Sequence, residues 1–111
     1  MSTIFGKIIR REIPADFVYE DDLCVAFRDI NPLARVHVLV VPKKPVVNIA
    51  DAEQGDAALL GHLLWVCGEV ARQEGIGDAF RVMSNSGAGA GQTVFHLHLH
   101  VLGGGPLPWP A

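Results

Sequence analysis

Histidines 96, 98 and 100 alternate with apolar residues in Phe95-His96-Leu97-His98-Leu99-His100-Val101-Leu102. A strand sends successive side chains to opposite faces, so Phe95, Leu97, Leu99 and Val101 share one face and three imidazoles share the other. Neighbouring imidazoles on that face start about 6.6–6.8 Å apart, so one small anionic group can touch two or three of them. A strand that needed only to fold would not carry histidine at three successive outward positions.

A neutral imidazole is a nucleophile towards phosphorus. The phosphohistidine it forms is reactive enough to be hydrolysed in a second step, so one hard displacement becomes two easier ones. Neighbouring imidazoles can hold the phosphoryl oxygens and pass a proton to the leaving group, and this scheme requires no metal. The same residues also suit zinc: His-x-His on a strand is a good chelate, and His37 is available as a third ligand. No cysteine or carboxylate lies near the triplet in sequence to complete or orient such a set.

Immediately before the triplet runs Ser84-Asn85-Ser86-Gly87-Ala88-Gly89-Ala90-Gly91-Gln92-Thr93. Its glycines let backbone N–H groups approach an anion, while Asn85, Ser86, Gln92 and Thr93 add donors without charge. Small polar residues also build ordinary hairpin loops. Leading straight into three imidazoles, this loop reads as a phosphate cradle.

The elements that must position these residues follow from periodicity. Ile4, Phe5, Ile8 and Ile9 recur at helical spacing behind a Thr3 cap, and Pro14 closes that short helix. Residues 17–20 and 24–30 read as a hairpin across Asp21-Asp22, and Val36 to Val41 is a third strand stopped by Pro42. Asp51 with Gln54 resembles a capping box, and Leu60, Leu63, Leu64, Cys67, Val70 and Ala71 form the stripe of a long helix from Ala52 to Glu74. Phe80 to Met83 gives a fourth strand and Val94 to Leu102 a fifth. The sum is an α+β domain: a five-stranded antiparallel sheet with one long and one short helix. His62, alone on the long helix, reads as a solvated or hydrogen-bonded residue.

Composition narrows the function. The 111 residues make one domain, 1–111, and half of them are apolar. That surplus belongs in a rich core or an interface. Nine Lys and Arg against twelve Asp and Glu give a net charge of −3, with no basic run, which argues against nucleic acid as partner. The longest nearly uncharged stretch, Ala57 to Gly68, is about 12 residues where a membrane span needs about 20. Met1 to Arg11 lacks the apolar block of a signal peptide, and Cys24 and Cys67 read as small buried residues, so a cytoplasmic protein is expected. The tail from Gly103 to Ala111 holds three Gly and three Pro and should lack regular structure.

The segment His96-Leu97-His98-Leu99-His100-Val101-Leu102 resembles the His-x-His-x-His-x-x signature of the histidine triad (HIT) superfamily. Ile4-Phe5-Gly6-Lys7-Ile8-Ile9, Glu20-Asp21-Asp22, Ala26-Phe27-Arg28-Asp29-Ile30, Val40-Val41-Pro42-Lys43-Lys44, Leu59-Leu60-Gly61-His62-Leu63, Gly91-Gln92 and Trp109-Pro110 are similar to its nucleotide-binding (Hint) branch. The resemblance implies a HIT-like fold paired into a homodimer. It also implies a cofactor-free hydrolase that cleaves the P–N bond of purine nucleoside monophosphoramidates and aminoacyl-adenylate-like compounds through a nucleotidyl-histidine. Dinucleoside polyphosphate hydrolysis, nucleotidyl transfer and a nucleotide-binding scaffold are the neighbouring possibilities.

By the same resemblance His98 is the nucleophile, His100 contacts the α-phosphate, His96 orients the nucleophile and His37 completes the proton network. Asp29 binds the ribose hydroxyls, and Phe5, Ile8, Phe27 and Ile30 line the base pocket. Asn85, Gly91, Gln92 and Thr93 face the phosphate or leaving group. Trp109, in the 103–111 tail, reaches towards the partner's site. Thr93 stands where the family commonly has Ser, Phe95 where close relatives have Tyr, and Arg28 beside Asp29 is a further departure. Without the likeness, Asp29 merely begins the Asn31-Pro32 turn, and Phe5 and Ile8 belong to the core.

Overall fold

Thr3 accepts the Gly6 N–H at 3.1 Å and so caps α1 (Ile4–Ile9), the short helix expected there. A computed structural model describes residues 3–108. After α1 come β1 (Phe17–Glu20), β2 (Cys24–Arg28) and β3 (Val36–Pro42), then α2 (Ala57–Gln73), β4 (Phe80–Met83) and β5 (Leu99–Gly103). The strands form one antiparallel sheet in the order β1-β2-β3-β5-β4. The chain thus returns from α2 through the β4 edge and inserts β5 beside β3. Trp109 lies outside the described residues. No helix among the described residues is long and apolar enough to cross a membrane.

Alternation divides the sheet into two packed faces. Cys24, Ala26, Val38, Val40, Leu97, Leu99 and Val101 meet Leu63, Val66, Cys67 and Val70 of α2. Val25, Phe27, Leu39 and Val41 meet Phe5 and Ile8 of α1 on the other side. β3 is buried along its whole length because it is the central strand and is covered on both faces. Two covered faces account for much of the apolar surplus, at about 1.5–3 kcal/mol for each large side chain fully removed from water. Both cysteines are free and buried.

Several bounds differ from the sequence reading, each for a local reason. β2 ends at Arg28 because Asp29 turns the chain, its Oδ1 accepting the Asn31 N–H at 2.8 Å. α2 begins at Ala57, behind single 3-10 turns at Ile49–Asp51 and Gln54–Asp56. The capping box joins Glu53 and Asp56, with the Glu53 N–H donating to Asp56 Oδ2 at 2.9 Å, in place of Asp51 and Gln54. β5 begins at Leu99, five residues later than expected. Its register with β3 puts Leu99 opposite Val40, and two residues earlier Leu97 leaves β3 to give its N–H to the Val46 carbonyl at 2.7 Å. Gly103 closes β5 where a Cβ would come within 2.7 Å of Ile76 Cδ1 and 3.0 Å of the Ala79 carbonyl oxygen, so a larger residue there would have to displace the Ile76 side chain.

Candidate active site

The α1 face of the sheet does not close completely. A cavity of about 440 Å³ remains, walled by Phe5 and Ile8 of α1, Phe27 of β2 and Leu39 of β3. Asp29, Asn31, His37, Thr93, His98 and His100 supply most of its polar lining. Ile30 lies at its edge, 88% exposed. An apolar slot with a few convergent polar groups is the usual form of a small-molecule site.

Register explains why the imidazoles converge. Leu39 of β3 pairs with His100 of β5, and His37 lies two residues before Leu39 on the same face, diagonal to His100. His98 and His96 precede β5 outside the ladder, yet Leu97 still drops into the α2 core, so both rings stay on the α1 side of the sheet, where His98 lines the cavity and His96 does not. The His98 and His100 ring centroids are 5.0 Å apart, and Phe5 meets His98 edge-on at 4.9 Å.

Fixed partners determine the protonation pattern of all four rings. The Leu33 N–H donates to His37 Nδ1 at 3.1 Å, so the His37 proton sits on Nε2 and is donated to His100 Nδ1 at 2.9 Å. His100 therefore keeps its own proton on Nε2, as a donor available to a ligand. His98 Nδ1 lies 2.8 Å from the His96 carbonyl, which only accepts, so His98 Nε2 carries a lone pair. That lone pair, like His100 Nε2–H, has no partner among the described residues. His96 Nε2 donates to the Pro42 carbonyl at 2.8 Å.

Burial pushes all four histidines below the ordinary value of 6.5. For His100, burial reinforced by His98 and His37 takes it to about 4, with Asp29 pulling weakly upward. All four rings are neutral near pH 7. This is the state the hydrogen bonds require, and the one in which an imidazole attacks.

Asp29 Oδ2 stands 3.5 Å from His37 Nε2, and ligating atoms of Asp29, His37 and His100 all lie within 4.8 Å of one another. The sequence showed no carboxylate near the triplet; folding brings one there, so these three residues form a set able to hold a cation. His62 is hydrogen-bonded, with Nε2 2.6 Å from Asp21 Oδ2 and Trp65 stacked on its ring. Arg28 is held by Glu74 and by Asp16 at 3.0 Å, so its guanidinium is already committed to carboxylates.

The glycine-rich loop is organised by one side chain. Buried Gln92 donates to the Val47 and Val94 carbonyls and accepts from the Gly87 N–H and from Asn48. Ser84 donates to the His98 carbonyl at 2.7 Å. Of the loop residues singled out by sequence, Thr93 lines the cavity, while Asn85, Gly91 and Gln92 do not. Gly91 adopts φ 97°, with Asn85 Nδ2 beside it, a conformation that suits glycine. Sequence reasoning missed the Leu33 N–H, the Pro42 carbonyl and the apolar Ile13-Pro14-Ala15 stretch in the cavity wall. Backbone donors and acceptors carry no residue signal. Ile13 to Ala15 lie where Pro14 closes the short helix and show no apolar periodicity of their own.

A model of the HIT domain family matches residues 10–107. An uncharacterized HIT-like protein of Synechocystis sp. is 65% identical over 108 residues, covering 97% of this chain and 95% of that protein. A 14 kDa zinc-binding protein of Zea mays is 48% identical, covering 97% and 86%. The crystal structure of a HIT family hydrolase from Legionella pneumophila superposes with a TM-score of 0.95 at 42% identity, covering 98% of each chain.

Proposed function

The chain belongs to the HIT domain family, and from that premise we propose that it hydrolyses the P–N bond of purine nucleoside monophosphoramidates through a nucleotidyl-His98 intermediate. The observation that carries this is the unpartnered His98 Nε2 at the polar end of an apolar slot, with His100 Nε2–H beside it. The slot holds the base between Phe5, Ile8, Phe27 and Ile30. Asp29 receives the ribose hydroxyls and Thr93 faces the leaving amine.

In the first step the His98 Nε2 lone pair forms a bond to phosphorus. The P–N bond of the substrate breaks, and the amine departs with that electron pair and takes up a proton from solvent at the mouth of the cavity, so this step consumes the proton that the second step releases. His98 Nδ1–H stays on the His96 carbonyl and offsets the charge that develops on the ring. His100 donates Nε2–H to a phosphoryl oxygen, the electrostatic contribution on which phosphoryl transfer chiefly depends. Water then attacks phosphorus, the bond to Nε2 breaks, and nucleoside monophosphate leaves with release of a proton.

The same reading places the protein in the Hint branch, as a cytoplasmic homodimer. Exposed Leu64 and Trp65 on α2, and the unpaired edge at β4 with exposed Phe80, support such a contact. Sedimentation at micromolar protein should give a species of about 24 kDa, twice the protomer's 11.9 kDa; a protomer alone contradicts it.

A zinc site is the second reading, carried by the Asp29, His37 and His100 set and by the zinc-binding description of the maize relative. A zinc ion held by Asp29, His37 and His100 would compete with the hydrogen bond between the two imidazoles, so it should inhibit. Assay of chelator-treated protein on adenosine 5'-phosphoramidate, with a dinucleoside polyphosphate in parallel, decides. Full activity without metal supports the hydrolase. Activity dependent on added zinc overturns the metal-free scheme, and faster cleavage of the polyphosphate reassigns the substrate. Tight nucleotide binding with no turnover of either leaves a scaffold.

A further inference from the structure

His96 is buried, and its ring bonds in two directions. Its Nε2–H is committed to the Pro42 carbonyl at the end of β3, which leaves a lone pair on Nδ1. Facing that lone pair, at 3.4 Å, is Thr3 Oγ1, 93 residues away in sequence. The Thr3 oxygen already accepts the Gly6 N–H as the cap of α1, so its own O–H is the proton available to His96. One hydroxyl thus ties the start of α1 to the end of β3 through the His96 ring. α1 carries Phe5 and Ile8, which wall the cavity, and Phe5 rests edge-on against His98. The His96 carbonyl in turn fixes the His98 tautomer.

We propose that Thr3 is a positioning residue for the nucleophile: its hydroxyl couples the seating of α1 on a bound nucleotide to the orientation of His96 and so of His98. This deepens the phosphoramidase reading and rests on it. At 3.4 Å the bond is long for a hydroxyl on an imidazole, which leaves room for it to shorten as α1 settles on the base. A cap without this second bond would stabilise α1 equally and leave the nucleophile untouched, so the two roles are separable.

Three variants separate them. Thr3→Ser keeps cap and donor; Thr3→Val loses both; Thr3→Asp keeps the cap but sets a carboxylate against Nδ1, drawing a second proton onto His96. Thr3→Ser should stay within about twofold of wild type. Thr3→Val should lower kcat about five- to tenfold, the scale of one hydrogen bond, and raise KM as α1 frays. Thr3→Asp should lower kcat similarly, hold KM, and move the acid limb of kcat to higher pH. Wild-type kcat in Thr3→Val, or an unmoved acid limb in Thr3→Asp, overturns the proposal and leaves Thr3 a helix cap. A readout without turnover distinguishes its failure from that of the parent reading. The 15N resonance of His96 Nδ1 in nucleotide-free protein should move between wild type and Thr3→Val and return in Thr3→Ser; identical resonances in all three overturn the contact even if no phosphoramidate is cleaved.

Discussion

His37 Nε2 donates to His100 Nδ1 across 2.9 Å, and the direction of that bond is set by the backbone, because the Leu33 N–H occupies the other nitrogen of His37. His100 is thereby held with its proton towards the cavity. His37 thereby decides which nitrogen of His100 offers a proton to the cavity.

Replacing His37 by Phe removes that donor and frees the His100 tautomer. The expected result is a fall in kcat of about 10²-fold, the usual worth of one positioned proton-transfer partner, with KM changed only a fewfold. Steady-state kinetics check this. A change confined to KM contradicts the assignment.

The pH dependence follows from the direction of the histidine shifts. All four folded values lie below 6.5, so the neutral, attacking state persists as pH falls through the range where an ordinary histidine charges. The acid limb of kcat for the wild type should therefore lie below pH 6.5. Stability runs in the same direction. The folded state binds fewer protons than the unfolded one below pH 6.5, so stability is lost as pH falls from there towards about 4, the His100 value. Urea midpoints measured from pH 7.5 to 4.5 should decline, and a flat series contradicts the buried neutral rings.

Asp29 is assigned to the ribose, and Asp29→Asn keeps the turn that its Oδ1 makes with the Asn31 N–H. KM for a ribonucleoside phosphoramidate should rise about tenfold, the scale of a hydrogen bond to a charged group, while a 2',3'-dideoxy analogue should be indifferent to the change. Equal losses on both substrates contradict a ribose contact.

Much of this was legible in the sequence because it is local. The alternation separates a leucine face from an imidazole face, and for Leu97 and His98 that separation holds where the ladder itself stops; Phe95, expected on the leucine face, is instead half exposed and outside the core. The start of β5 pairing was not legible from its own residues, since Leu97 gives its N–H to the distant Val46 carbonyl and not along β3. Asp29 beside His37, Thr3 beside His96 and the Pro42 carbonyl beneath His96 join distant parts of the chain, and no spacing rule connects them. Gln92 was read as a donor to phosphate from its type. Its carbonyl and amide instead hold the loop and the segment around Val47, so its effect on a ligand runs through the loop's shape.

α2 supports the site from the opposite face of the sheet. Leu63 is fully buried there, and Leu63→Ala should cost about 2–5 kcal/mol in urea unfolding, with activity per folded molecule unchanged. A loss under 1 kcal/mol contradicts the packing described.

The central claim is that His98 Nε2 becomes bonded to phosphorus. Chelator-treated protein mixed with adenosine 5'-phosphoramidate, quenched within milliseconds and kept from acid, should show by mass spectrometry a single added adenylyl group that maps to His98 and is absent from His98→Ala. An adduct on another residue, or wild-type turnover by His98→Ala, contradicts the account.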